Sequence, residues 1–160
     1  MKVTHQQIQG VQAELPSTLA VTWADGTVDR LDLADVIASS AHLMPLADPA
    51  LFVQVQVGEW GWEIRWTDDI DLSAAQLWRW AGEQAGELMP SDQFRAWQNR
   101  HKLSLTGAAK VLGLSRRMVQ YYATGTRPIP KTVRLACIGA ELLMQGGGNA
   151  TLRSDLLRHQ

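Results

Sequence analysis

The chain of 160 residues contains one cysteine, Cys137, and so cannot form an internal disulfide or a cysteine-rich metal centre. Its apolar runs are short, and none approaches the roughly 20 residues that a membrane-spanning helix needs. The segment of residues 1–7 ends in polar residues, where a signal peptide would have its apolar segment. With 46% apolar residues the chain is too hydrophobic to be disordered. These features predict a folded cytoplasmic protein without a membrane segment.

Patterns that would indicate catalysis or metal binding are also missing. The four histidines are scattered, with no pair at metal-ligand spacing. Asp68, Asp69 and Asp71 lack the glycine and distal glutamate of an EF-hand loop. No two residues combine the type and the local context that acid–base or nucleophilic catalysis requires. The sequence therefore predicts a protein that is not an enzyme, with no catalytic residues, no metal and no cofactor.

Charge is divided sharply along the chain. Residues 1–92 contain 14 Asp and Glu against 4 Lys and Arg, a net charge of −10, whereas residues 93–160 contain 2 against 11, a net charge of +9. Six of the seven tryptophans precede residue 81. Gly86 and Pro90 are chain breakers at the same place. A domain boundary is therefore predicted near residues 85–92, and the basic half is expected to bind an anionic partner.

Alternation of polar and apolar residues predicts antiparallel strands in the first half. Leu19, Val21 and Trp23 alternate before Asp25-Gly26, which is typical of a tight hairpin turn. A second hairpin is predicted from residues 53–57 and 62–66, and a further strand within residues 3–15. Helices are predicted at residues 34–40 and 73–85. Together these elements predict a small α+β domain.

The tryptophans of this half divide into two groups by position. Trp62, Trp66 and Trp78 occupy apolar positions of predicted strands or helix and are expected in the core. Trp60 lies in the predicted turn, and Trp80 lies off the apolar stripe of its helix. These two are the candidates for an exposed surface that binds a partner.

The second half has helical periodicity throughout and is predicted to be an all-α bundle of four to five short helices. Within it, Ala109, Gly113 and Val119 have the spacing of a helix-turn-helix: a small residue where the helices cross, a glycine in the turn and a β-branched residue that packs the second helix on the first. Ser104 and Ser115 are placed to cap the two helices.

The segment from Leu105 to Ala123 and the following Gly125-Thr126-Arg127-Pro128-Ile129-Pro130 resemble the phage-repressor-like, or Xre-type, family of DNA-binding domains over about residues 94–143. Tyr122-Ala123 replace the Trp-Glu pair that many members have, so an acidic residue near the DNA face is absent. The resemblance implies that the helix from Ser115 to Thr124 enters the major groove of duplex DNA.

The resemblance also implies a set of DNA-binding residues. Arg117 and Gln120 are expected to read base edges, because Arg pairs with guanine and Gln with adenine. Arg116 and Arg127 are expected to hold phosphates. The remaining expected DNA contacts are from outward or basic side chains: Tyr121, Thr124, Lys102, Lys110 and Lys131. If about 5 phosphates are neutralised per protomer, affinity should fall steeply with salt.

The N-terminal half resembles a second family on the run from His42 to Trp66, followed by Asp69-Ile70-Asp71-Leu72-Ser73. This is a bacterial domain family of unknown function whose members are often encoded beside a small toxin-like protein. The resemblance covers about residues 17–85 and implies an antitoxin-like or sensor-like role.

These observations lead to three expected regions. Residues 1–88 form an acidic α+β domain for partner binding or dimerisation, residues 91–145 a helix-turn-helix DNA-binding domain, and residues 146–160 a flexible hinge and short C-terminal helix. The expected fold is thus α+β, with a small antiparallel-sheet domain and helices followed by an all-α repressor-like domain. The short C-terminal helix could pack on its own domain or on a second subunit.

The sequence favours two functions over a third, a small enzyme whose catalytic side chains converge from distant positions. The first is a sequence-specific transcriptional regulator, expected to be a repressor that binds a palindromic site as a homodimer. The antitoxin-like resemblance implies that it regulates its own operon. The second is a protein-interaction module that neutralises a small basic, toxin-like partner through its acidic half and whose helical half does not read DNA.

Overall fold

The computed structural model describes residues 6–146 and divides the chain into two units, Met1–Gln84 and Ala85–Gln160. Each unit has its own core of buried apolar side chains. Apart from Gly146, the predicted hinge and short C-terminal helix at residues 146–160 lie outside the described residues. Among residues 6–146, no helix has both the length and the apolar character needed to cross a bilayer.

Within residues 6–84, the first unit contains two small antiparallel sheets, three α-helices and two short 3-10 helices at Met44–Ala47 and Glu59–Gly61. Its described elements are, in chain order, β1 (Ile8–Glu14), β2 (Thr18–Trp23), β3 (Val28–Asp32), α1 (Ala34–Ser39), α2 (Pro49–Phe52), β4 (Gln56–Val57), β5 (Glu63–Arg65), β6 (Asp71–Ser73) and α3 (Ala74–Gln84). The sheets have the strand orders β1-β2-β3 and β4-β5-β6.

The β2–β3 hairpin confirms the prediction from alternation. Leu19, Val21 and Trp23 are buried on one face of β2. The turn between the strands holds Gly26 at a φ of 86°, a conformation that glycine adopts without steric cost. The Asp25 carboxylate accepts hydrogen bonds from the hydroxyl (2.6 Å) and the amide (2.9 Å) of Thr27, and these bonds lower the pKa of Asp25.

The second predicted hairpin is present but shorter than predicted: β4 and β5 pair antiparallel, with Gln56 opposite Arg65 and Val57 opposite Ile64. Its first arm is only two residues long, because the amides of Val53 and Gln54 donate back to the carbonyls of Pro49 and Leu51 and so extend the end of the short helix α2. The Asp48 carboxylate caps this helix by accepting from the amide of Ala50 at 3.0 Å, and Pro49 occupies its first position, where proline favours helix. Capping and burial of Phe52 therefore override the alternation of the valines that follow.

The tryptophans also depart from the prediction. Trp66 is buried and Trp78 packs against the core, as expected, and Trp60 is 77% exposed. Trp62, which the alternation predicts in the core, is 48% exposed, because β5 begins only at Glu63 and Trp62 belongs to the turn before the strand. Trp80 was expected at the surface but packs, partly buried, against the core.

The second unit contains four helices and a two-stranded ribbon within residues 85–146. These elements are β7 (Leu88–Met89), α4 (Ser91–Arg100), α5 (Leu105–Leu112), α6 (Arg116–Thr124), β8 (Ile129–Pro130) and α7 (Lys131–Met144). The prediction of an all-α domain of four to five helices is therefore wrong, although the α+β class holds for the chain.

The ribbon explains this correction. β7 and β8 are antiparallel, with Met89 opposite Ile129, and both side chains are buried. Gly86 and Pro90 flank β7, and both residues disfavour a helix there. Two residues are too few to show the period-2 alternation by which a strand is predicted.

Candidate nucleic-acid interface

Helices α5 and α6 are joined by a three-residue turn whose geometry follows from its residues. Ser104 caps α5 by accepting from the amide of Gly107 at 3.0 Å. Gly113 ends α5 in the left-handed conformation, with a φ of 67°, and the amide of Leu114 donates to the carbonyl of Ala109 at 2.9 Å. Ser115 then caps α6 by accepting from the amide of Met118 at 3.1 Å. The direction of α6 is thereby fixed at both ends of the turn.

One face of α6 packs into the core of the second unit. Val119 and Tyr122 are buried, and Ala109 of α5 is buried in the same cluster. The ring of Tyr122 meets that of Phe94 edge to face at 5.9 Å, and burial raises the pKa of Tyr122. The opposite face of α6 is left at the surface. Arg116, Arg117, Gln120 and Thr124 are exposed there, and Tyr121 is half-buried.

This surface lies in a segment of one charge sign. Between Gln93 and Ala140 the sequence contains nine Lys and Arg and no Asp or Glu. Some of these cations have partners elsewhere in the second unit: Arg100 pairs with Glu141 at 3.2 Å, and Lys131 pairs with Glu87 at 3.1 Å. Two others, Arg95 and Arg134, donate to the backbone carbonyls of Ala123 and Gly86. Among the residues that the structure describes, the remaining five form no ion pair with a carboxylate: Lys102, Lys110, Arg116, Arg117 and Arg127. We call these five residues the unpaired cations.

Three of the predicted site residues meet around one aromatic ring. The Nε of Arg117 donates to the phenol oxygen of Tyr121 at 2.6 Å, and its guanidinium carbon lies 5.4 Å from the ring centroid. The guanidinium carbon of Arg127, from the loop after α6, lies 5.0 Å from the same centroid. The structure thus brings Arg117, Tyr121 and Arg127 together as an Arg–Tyr–Arg cluster.

Other predicted residues are placed differently. The hydroxyl of Thr124 forms hydrogen bonds with the carbonyl of Gln120 (2.9 Å) and the hydroxyl of Thr126 (2.7 Å). It is therefore already hydrogen-bonded at the C-terminal end of α6. Lys102 follows α4 with a φ of 52°, which is uncommon for a residue other than glycine. Lys131 is held by the Glu87 pair.

Arg95 is a residue of this region that the sequence analysis missed. Its guanidinium donates to the carbonyl of Ala123 at 2.8 Å, in the last turn of α6. A cation at this end of a helix satisfies a free carbonyl and complements the helix dipole. The contact spans 28 positions, so no local signal predicts it.

In the first unit, the turn around Trp60 is a second candidate binding surface, because it exposes a large aromatic side chain. Trp60 has a φ of 66°, and its carbonyl accepts a hydrogen bond from the Gln7 side chain at 2.9 Å. Its neighbour Glu59 is exposed and acidic. Among the described residues, no three His, Cys, Asp or Glu side chains cluster so that they could hold a metal ion.

Comparisons with known proteins connect the chain to one family. Residues 8–83 match the family described as "Protein of unknown function (DUF2442)". The chain is 39% identical to a protein from Nitrosomonas europaea whose crystal structure is described as that of a "Putative DNA Binding Protein", and the alignment covers 87% of this chain and 88% of that one with a TM-score of 0.53. No curated protein matches the chain.

These comparisons correct one of the two predicted resemblances. The expected membership of the Xre-type repressor family is wrong, because no family of that kind matches residues 94–143. The predicted resemblance of about residues 17–85 to a domain family of unknown function agrees with the match over residues 8–83, whereas the antitoxin-like role stays a prediction. On its identity to the Nitrosomonas europaea protein across most of both chains, the chain belongs to the DUF2442 family.

Proposed function

We propose that the protein is a sequence-specific DNA-binding regulator of the cytoplasm, and that binding rather than catalysis is its activity. The observation that carries this proposal is the group of unpaired cations around α5, α6 and the loop after α6. Exposed Lys and Arg without carboxylate partners are free to replace the counterions of DNA phosphates. The description of the Nitrosomonas europaea relative as a DNA-binding protein supports the same function.

In this proposal, α5 and α6 act as a helix-turn-helix and α6 lies in the major groove. Its exposed face offers Arg117 and Gln120 to base edges. Arg116 at the start of α6 and Arg127 after its end hold phosphates, and Lys102 and Lys110 add backbone contacts. Lys131 contributes less than the others, because it must first leave Glu87.

The protein would bind as a homodimer that acts as a repressor, with α7 as the interface. Leu135, Ile138 and Leu142 are exposed at helical spacing on one face of α7, with Gly139 between them. The stripe is symmetric about residues 138 and 139. An antiparallel second copy would therefore place Leu135 against Leu142 and Ile138 against Gly139, where open space beside the glycine admits a side chain.

Selection from genomic fragments tests the proposal. The purified protein should enrich one inverted-repeat site, and its affinity should fall with salt with a log–log slope of about −9, for about five phosphate contacts on each protomer of the dimer. Replacing Arg117 and Gln120 together by alanine should abolish the preference for that site. Arg100→Ala is the matched control, since this arginine pairs with Glu141 and should leave the preference intact. Uniform weak retention of all fragments would contradict sequence-specific binding.

A second candidate function is the binding of a small basic protein by the first unit. The Trp60 side chain is 77% exposed on a turn held by Gln7, and the unit is acidic. A basic protein recovered in stoichiometric amount from the native host, and lost on Trp60→Ala but not on Val28→Ala, would support this function. Val28 is the control because it is another exposed apolar residue of the same unit.

A further inference from the structure

Arg117 and Tyr121 lie one helical turn apart on the exposed face of α6. The bond from Nε of Arg117 to the Tyr121 phenol oxygen is short, at 2.6 Å, and joins side chains at positions i and i+4. An exposed arginine otherwise samples many rotamers, and ordering it on binding costs entropy. The hydrogen bond to Tyr121 restricts the rotamers of Arg117 in the unbound protein, so less side-chain entropy is lost when Arg117 binds a ligand.

The hydrogen bond to Tyr121 uses only Nε of Arg117, and this determines which donors of Arg117 remain for a ligand. Because Nε donates to Tyr121, the two terminal nitrogens of the guanidinium have no partner among the described residues. Paired donors of this kind match the O6 and N7 acceptors that guanine presents in the major groove. Adenine presents one acceptor and one donor at the same edge, so a doubly donating group discriminates against it.

Arg127 depends on the same ring in another way. Its guanidinium lies 5.0 Å from the Tyr121 centroid, while that of Arg117 lies at 5.4 Å. The ring face attracts each cation. It thereby offsets the repulsion between two like charges in one cluster, and it uses none of the N–H donors of Arg127, which stay available to a phosphate.

We infer that Tyr121 is a positioning residue, which holds Arg117 so that its terminal nitrogens read a guanine and holds Arg127 beside a phosphate. This inference rests on the proposed function and deepens it. It assigns Tyr121 a role through its neighbours in place of the direct DNA contact expected from the sequence, and it makes G·C the base pair opposite Arg117.

The test uses the best genomic fragment and a set of duplexes in which each of its base pairs is changed in turn. Affinities are measured by fluorescence anisotropy for the wild type, Tyr121→Phe, Arg117→Ala and the double variant. Arg117→Ala should reduce discrimination at one G·C pair by about fivefold or more. Tyr121→Phe should reduce discrimination at that same pair severalfold while leaving the salt slope unchanged, because no charge is lost.

The double variant separates positioning from direct contact. If Tyr121 acts through Arg117, Tyr121→Phe should have no further effect on discrimination in the Arg117→Ala background. Tyr121→Leu, which also removes the ring, should weaken binding to every duplex because Arg127 loses its support. Thermal unfolding of each variant checks that the fold is retained.

The failures are distinguishable. If the wild type binds no duplex with sequence preference, the proposed function and this inference fall together. If the wild type discriminates but Tyr121→Phe keeps full discrimination, or acts equally strongly without Arg117, only the positioning role of Tyr121 is overturned.

Discussion

A β-carbon placed on Gly61 would lie 2.5 Å from the carbonyl oxygen of Ile8, closer than packed atoms can approach. Gly61 also has a φ of 73°. Gly26 in the same unit has a φ of 86°, but a β-carbon there would meet no atom within 4 Å. We therefore expect Gly61→Ala to destabilise the first unit more than Gly26→Ala, whose cost of about 1 kcal/mol comes from backbone conformation alone.

Urea unfolding followed by tryptophan fluorescence measures both variants, because six of the seven tryptophans belong to this unit. The midpoint should fall for each variant and fall further for Gly61→Ala. Equal losses at the two positions would mean that the backbone at Ile8 moves aside freely.

The N-cap of α6 allows stability and DNA binding to be separated. Ser115→Ala removes the acceptor for the Met118 amide and should destabilise the second unit by about 1 kcal/mol. Ser115→Asp keeps an acceptor and suits the positive end of the helix dipole, so stability should return towards that of the wild type. The new negative charge beside Arg116 should nevertheless weaken DNA binding.

Thermal unfolding and fluorescence anisotropy on the same three proteins make the comparison. A Ser115→Asp variant that is stable and still binds DNA as tightly as the wild type would place the start of α6 away from the phosphates. That result would remove Arg116 from the proposed interface.

Local sequence patterns correctly predict those features of the fold that depend on residues close together in the chain, such as turns and helix starts. Asp25-Gly26 set the β2–β3 turn, and Ser104 and Ser115 set the starts of α5 and α6. Burial of Val119 also follows from its place in the helical period. Each of these features depends on positions within about four residues along the chain, which is the range over which patterns can be read.

Tertiary relationships could not be predicted in this way. The ribbon between β7 and β8 joins segments about 40 residues apart, and the pair between Lys131 and Glu87 spans 44 positions. In the candidate site, the spacing of Arg117 and Tyr121 is visible in the sequence, but Arg127 reaches the ring only because the chain turns after Gly125. The sequence therefore supplied the members of the Arg–Tyr–Arg cluster without their arrangement.

The burial of Cys137 predicts that its thiol reacts slowly in the folded protein. Burial raises the pKa of its thiol to about 12, and the charge of Glu141 adds to this effect. The thiolate is the reactive form, so the native protein should resist a disulfide reagent at pH 8 while the urea-unfolded protein reacts quickly. Labelling of the native protein at the unfolded rate would contradict this burial.

The same shift makes stability depend on pH. Above pH 9 the thiol ionises in the unfolded chain but stays protonated in the folded one, so the unfolded state is favoured as pH rises. Stability should therefore decline between about pH 9 and 12. Cys137→Ala should flatten this decline, which urea unfolding at several pH values would detect.

The proposed α7 interface predicts that loss of the dimer weakens binding to the full inverted repeat. Leu142→Glu places a charge on the exposed apolar stripe, where a second copy would bury it without a partner. Sedimentation should then show a monomer. Ala136→Glu is the matched control, because this alanine is exposed on the same helix but lies off the stripe. It should leave the dimer intact.

DNA of two lengths shows whether the dimer matters for recognition. A dimer bound to an inverted repeat engages both half-sites at once, and this linkage raises the apparent affinity. Leu142→Glu should therefore weaken binding to the full inverted repeat but not to an isolated half-site, since α6 and the unpaired cations are unchanged. If Leu142→Glu stays dimeric, the interface lies elsewhere than on α7. If it becomes monomeric and still binds the inverted repeat like the wild type, each protomer recognises its half-site independently.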